Sequence, residues 1–145
     1  MPERSAKAEW TGSLLDGKGK MALGSGLFEG AFSFNTRMGD EPGTNPEELL
    51  GASLAGCYTM ALNATLEKNG TPANSVHTEA KVFLGKDDAG FVIKHIDLET
   101  KADVDGIEDA AFQDLAQATK KGCPISKALT AVTINLKASL GSGSA

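Results

Sequence analysis

Cysteine and histidine are scarce in this chain: Cys57, Cys123, His77 and His95 are all there is in 145 residues. No CxxC pair occurs, and too few thiols and imidazoles lie near one another in sequence to suggest a structural zinc site, so no metal is expected. No basic cluster and no aromatic-rich stripe is present. With a net charge of -5 and a pI near 5.0, the composition argues against a nucleic-acid binder, whose footprint is usually basic. The start of the chain, Met1–Glu9, is charged and lacks the apolar stretch of a signal peptide. No apolar run reads as long enough to cross a bilayer. The expectation is a cytoplasmic protein without a membrane partner. Thiols stay reduced there, so two cysteines are not expected to form a structural staple. The apolar content of 41% suffices for one core. That points to one domain over residues 1–145, with 141–145 as a flexible tail.

The stretch from Asn45 to Gly70 carries the strongest local signal. Asn45 is placed to cap a helix, Pro46 suits its first position, and Glu48 sits at the capping-box offset. Lys68, Asn69, Gly70 and Pro72 read as a stop. Between these signals, Leu49–Leu62 holds no charge at all. A surface helix shows a polar stripe, so this one is expected to be central and buried. Gly51, Ala52, Ser53, Ala55, Gly56, Ala61 and Ala64 are small enough for another helix to approach closely. Cys57 lies in the middle.

Around this helix the chain alternates short elements. Ser5–Trp10, Lys18–Leu23 and Leu27–Phe34 read as strands. Residues 17–22, GKGKMA, have the outline of a dinucleotide fingerprint, but they follow no parallel strand and open no helix, so no nucleotide is expected. Phe34–Thr44 reads as a polar loop holding Arg37. After the helix, Val76, Thr78, Ala80, Val82 and Leu84 alternate with polar residues. A hairpin turn at residues 86–90 leads to a strand from Phe91 to Val104, with Ile96, Leu98, Thr100, Ala102 and Val104 on one face. Asp105–Glu108 reads as a capping box opening a helix whose apolar stripe is Ile107, Ala111, Leu115 and Ala118. Cys123 precedes Pro124 and so caps a short helix, and Ala131–Leu140 is the last strand. The order β-β-β-α-β-β-α-β predicts an α+β domain with antiparallel hairpins.

A thiolate, not a thiol, is the nucleophile, and a free thiol titrates near ~8.5. Cys57 lies about three turns into its helix, beyond the reach of the dipole, and burial alone pushes its pKa up. A reactive Cys57 therefore needs a cation. No histidine is near in sequence, which weighs against a Cys–His hydrolase. Arg37 is the local candidate, and Glu47 or Glu48 is available as its carboxylate partner. Glu48 already has a capping role, which leaves Glu47 freer. Cys123, as a cap, feels its helix terminus directly and suits a resolving thiol. The plainer alternative for each cysteine is a small buried hydrophobe.

Taken together, Phe34-Asn35-Thr36-Arg37, Gly43-Thr44-Asn45-Pro46-Glu47-Glu48-Leu49, Ala55-Gly56-Cys57 and Gly122-Cys123-Pro124-Ile125-Ser126 resemble the OsmC/Ohr family. These are the osmotically inducible and organic-hydroperoxide-resistance proteins. The likeness runs from about Ser5 to Leu140. An arginine just after Phe-Asn-Thr resembles the OsmC branch; in the Ohr branch it lies nearer the N-terminus. The resemblance implies an OsmC-like fold, with antiparallel sheets around a long central helix in an intertwined homodimer. It implies thiol-dependent reduction of organic hydroperoxides, and of hydrogen peroxide less well. Cys57 matches the peroxidatic cysteine, Cys123 the resolving one, Arg37 the arginine that holds the thiolate and Glu47 the acid paired with it. It implies no bound cofactor, and a dithiol reductant such as a lipoylated protein.

Glu47 and Cys57 are ten positions apart, ~15 Å along a straight helix. Glu47 is therefore expected to act through Arg37, from a partner subunit, or across a break near Gly51 or Gly56. Met38, Leu54, Tyr58 and Ile125 are candidate walls for a pocket that accepts organic tails. Two other functions stay open at this point: a non-enzymatic module binding a hydrophobic ligand, and a redox sensor recycled slowly.

Overall fold

A computed structural model describes residues 1–142. The chain divides into two compact units, with the boundary after Leu49, inside the long helix. Of the expected tail, residues 143–145 lie outside the described residues. Gly141 is tied in place, its N–H donating to the Ala102 carbonyl at 2.9 Å.

The first unit holds β1 (Ala6–Thr11), β2 (Lys18–Leu23) and β3 (Glu29–Phe32), an antiparallel sheet in the order β1-β2-β3. Trp10 packs on Phe32, ring centres 5.5 Å apart. Gly19 is required beneath them, since a Cβ there would sit 2.6 Å from both rings. Every residue of β1 is exposed. The GKGKMA segment lies on β2 and opens no helix, as expected.

The loop expected over Phe34–Thr44 is not wholly a loop. Its first residues form α1 (Phe34–Met38). The Ser33 hydroxyl accepts from the Thr36 N–H at 3.2 Å, and the Ser33 N–H donates to the Thr36 hydroxyl at 2.8 Å. This is a capping box with threonine where the usual pattern has Glu or Gln, which hides it from a sequence scan.

The long helix, α2 (Pro46–Lys68), follows its predicted bounds. Asn45 caps it, accepting from the Glu48 N–H at 2.8 Å. Its stop is built by Gly70 at φ 78° and by the Thr71 N–H donating to the Leu66 carbonyl. No break interrupts it at Gly51 or Gly56. Two expectations are corrected. By length and composition α2 is apolar enough to cross a membrane; the polar but uncharged Asn63 and Thr65 lengthen a run that reads as shorter. Nor is the helix buried all round in this chain. Leu54, Tyr58, Leu62 and Leu66, four residues apart, are fully buried, while Ala52, Gly56, Asn63 and Ala64 are exposed and Met60 is 79% exposed. Gly51 faces a strand rather than a helix, meeting Val82 and Ala80.

The buried face of α2 packs on the second sheet, β4 (Ala73–Asp87), β5 (Gly90–Val104) and β6 (Thr133–Leu140), in the order β4-β5-β6. On β5, Ile96, Leu98, Thr100 and Ala102 alternate inward and are buried, as the period-2 pattern predicts. Thr100 is satisfied there by the Thr78 hydroxyl at 2.9 Å and by the His77 carbonyl. One strand differs from the expectation of purely antiparallel pairing: β6 runs parallel to β5. The connection between them carries two helices back across the sheet, so the chain re-enters in the same direction.

Those helices are α3 (Asp109–Gly122) and α4 (Pro124–Ala128). The α3 start is later than the capping-box reading allowed. Asp105-Gly106 turns the chain, with Gly106 at φ 76°, and Glu108 is the cap residue without a side-chain bond. The inward stripe centres on Phe112, Ala116 and Thr119; of the expected residues Ile107 and Leu115 pack at its edge, while Ala111 and Ala118 are exposed. Two bonds fasten α2 to α3: Tyr58 Oη donates to the Ala116 carbonyl at 3.0 Å, and Thr119 Oγ1 to Thr65 Oγ1 at 3.2 Å.

Candidate functional site: a thiol pair and an ion pair

The four residues singled out from the sequence fall into two pairs, one in each unit. In the second, Cys57 from the middle of α2 meets Cys123 from the junction of α3 and α4, with Sγ atoms 2.8 Å apart. Both are free thiols. The register of α2 explains the meeting. Leu54 and Tyr58 anchor the buried face, and Cys57, one residue before Tyr58, emerges at the edge of that face, half-buried. Cys123 is fully buried, held by its N–H to the Thr119 carbonyl at 2.9 Å. Pro124 stands at the first position of α4, which fixes Cys123 as the residue before the helix. An S–S bond of about 2.05 Å needs less than ~1 Å of further approach.

The two sulfurs differ electrostatically. Burial pushes the Cys57 thiol up, and its hydrogen bond with Cys123 pushes it further, against a smaller opposite pull from the Ile125 N–H. Cys123 is also opposed by burial. Its bond with Cys57 and the favourable influence of the Ser126 and Ile125 N–H groups and of the nearby Ser126 hydroxyl outweigh that and bring it below the usual thiol value. The groups around the pair therefore favour charge on Cys123, while burial opposes it on Cys57. Tyr58 beside it is held neutral, pushed far up by burial and by the Cys123 charge.

In the first unit, Arg37 in the last turn of α1 donates from Nε to Glu47 Oε1 at 2.7 Å. Glu47 is buried, at 8% exposure, whereas the Arg37 side chain keeps 40% of its surface. A buried carboxylate needs such a partner. Asn45 sets the spacing, capping α2 with Oδ1 while Nδ2 donates to the Thr36 carbonyl of α1 at 3.2 Å. Arg37 thus takes Glu47 rather than Glu48, whose side chain points to solvent.

Two of the four expected pocket walls are core instead. Leu54 and Tyr58 are fully buried core, and Ile125 packs against that core. Met38 is half-buried in the first unit. A cleft of about 480 Å³ lies in this unit between the exposed side of α2, with Gly56, Met60 and Asn63, and Val76 and Thr78 of β4, and Cys57 is not among the residues that line it. Sequence reasoning also passed over Ser126. It stands three residues after Cys123, a capping-type offset whose meaning depends on where the side chain is buried. Among the described residues no cluster of His, Cys, Asp and Glu could hold a metal ion.

A model of the family described as OsmC-like protein matches residues 39–137. The chain is 42% identical over 129 residues to the peroxiredoxin OsmC of Escherichia coli, covering 88% of this chain and 90% of that protein. Its fold matches the organic hydroperoxide resistance protein OhrB of Bacillus subtilis with a TM-score of 0.70 and 26% identity, covering 94% and 98% of the two chains. An organic hydroperoxide resistance protein from Elizabethkingia anophelis superposes with a TM-score of 0.74 over 96% of each chain, at 24% identity.

Proposed function

The chain belongs to the OsmC family and is a peroxidase, and from that we propose that it reduces organic hydroperoxides through Cys57 and Cys123, as one OsmC-like domain in the cytoplasm. The observation that carries this reading is the 2.8 Å approach of two free thiols, one half-exposed and one fully buried. The Cys57 thiolate attacks one peroxide oxygen, the O–O bond breaks, and the alkoxide leaves as alcohol after taking a proton. Cys57 is then a sulfenic acid. The Cys123 thiolate attacks that sulfur, expels hydroxide and closes the disulfide. An external dithiol, for which a lipoylated protein is the natural class, reduces it and is itself oxidised to a disulfide.

Arg37 supplies the cation that this route needs. Cys57 is pushed up by its own surroundings, so a guanidinium at the thiolate and the developing alkoxide offsets that cost. Glu47 is its positioning residue. The unbroken α2 favours action through Arg37, or from the partner, over a helix break. The active form is an intertwined homodimer. Support comes from β1, exposed along its whole length, and from the exposed apolar side of α2 around Met60; a second copy would cover both. Cys57 packs at the edge of an apolar core with Leu54, Tyr58 and Ile125, surroundings that suit organic tails better than hydrogen peroxide.

Steady-state consumption of cumene hydroperoxide and hydrogen peroxide with dithiothreitol tests the proposal. Multiple turnovers with a higher kcat/KM for the organic substrate are expected. Thiols that stay unreactive toward both peroxides in the folded protein would overturn it.

A further inference from the structure

Among the described residues of the second unit, one buried side-chain polar atom is left without a hydrogen bond. Ser126 is 7% exposed, and its Oγ is sealed from solvent with no hydrogen bond formed. Leaving a buried hydroxyl unpaired is destabilising, so its place calls for a reason. Cys123 caps α4 and Ser126 is the third residue of that helix, the offset at which a cap and a side chain face each other.

We propose that the Ser126 hydroxyl is a donor held in reserve for the Cys123 thiolate, and that it makes Cys123 the sulfur that leaves when the disulfide is reduced. This rests on the two-cysteine reading above. A protonated thiol is a weak acceptor, so with both cysteines reduced and neutral the hydroxyl has nothing to bond. A thiolate accepts strongly. The N–H groups of Ile125 and Ser126 converge on the same sulfur, so the hydroxyl completes a cradle of three donors. Five residues of α4 are too few for a large dipole, and the cradle acts through these discrete bonds. Cys57 has no such cradle: the Ile125 N–H is its one favourable contact.

The difference sets the direction of the reductive step. An external thiolate reaches the half-exposed Cys57 sulfur and not the fully buried Cys123. It forms a new S–S bond to Cys57, the Cys57–Cys123 bond breaks, and its electron pair stays on Cys123. The second thiol of the reductant then attacks its own sulfur in that mixed disulfide and releases Cys57. A leaving thiol of lower pKa departs faster.

The titratable neighbours of Cys123 are Cys57 and Tyr58 of α2, so the test is run with Cys57 replaced by Ser in every protein. The Cys123 thiolate is titrated by its ultraviolet absorbance in that background with Ser126, Ser126→Ala and Ser126→Thr. Ala is expected to lower the thiolate fraction at a fixed pH about tenfold, and Thr, which keeps the donor, to restore it. With both cysteines present, Ser126→Ala is expected to slow reduction of the disulfide by dithiothreitol about tenfold while leaving the reaction with peroxide unchanged. Identical titrations for Ser and Ala, or a folded Thr variant that titrates like Ala, overturn the proposal. The titration uses no peroxide, so it decides the role of Ser126 even if turnover is never seen.

Discussion

The two units place their paired residues on unlike ground. Residues from 50 onward hold all the fully buried apolar side chains, from Leu54 to Cys123, and the thiol pair is set into that core. Residues 1–49 hold a three-stranded sheet whose first strand is exposed throughout. What is buried there is small or polar, notably Thr44 and Glu47. The thiols are positioned by packing, which is stiff. The arginine is positioned by caps and one ion pair on a short helix, with 40% of its side-chain surface exposed. Under the proposed mechanism, the nucleophile and its cation thus rest on unlike supports.

That contrast can be broken or sharpened by substitution. The largest effect is expected from Cys57→Ser, which should reduce peroxide turnover to background with no change in the melting temperature. Arg37→Ala should lower kcat/KM by about 10²–10³-fold. The sign of its pH effect is fixed: removing a cation disfavours the Cys57 thiolate, so the activity profile moves to higher pH. Lysine should recover little, because it lacks the fork that engages Glu47 while facing a second group. Glu47→Gln keeps the shape but loosens the arginine, and should cost between about 10- and 100-fold in kcat/KM. In the second unit the losses should be of stability instead. Leu62→Ala removes a fully buried side chain and should cost about 2–5 kcal/mol in denaturant unfolding. Tyr58→Phe gives up its bond to the Ala116 carbonyl and should cost about 1–2 kcal/mol. If Arg37→Ala destabilises as much as Leu62→Ala, the contrast between the two supports fails.

How much was legible in the sequence follows the same division. The α2 bounds were readable because Asn45, Pro46 and Gly70 act locally, and the β5 face because its alternation is a property of the strand itself. The pairing of Cys123 with its short helix was readable from Pro124. Local rules did not reach the direction of β6, which depends on where two helices carry the chain, nor α1, whose box uses Thr36 in place of an acid. The α3 stripe was misread by one position because Asp105-Gly106 is a turn, and a shift of one residue rotates a helix by about 100°. Two of the pocket walls failed for a different reason. Composition shows that Leu54 and Tyr58 are apolar but not which side of α2 they occupy, and they occupy the core side. The role of Ser126 needed its burial, which no sequence pattern displays.

The central claim is that Cys57 takes the oxygen and Cys123 resolves it. The most direct measurement is peptide mass spectrometry after one equivalent of cumene hydroperoxide, on the wild type and on Cys123→Ser. The account predicts a Cys57–Cys123 disulfide in the first protein and a dimedone-trappable sulfenic acid confined to Cys57 in the second. No sulfenic acid on Cys57 in the Cys123→Ser protein, or a wild type whose two thiols stay free, would contradict it.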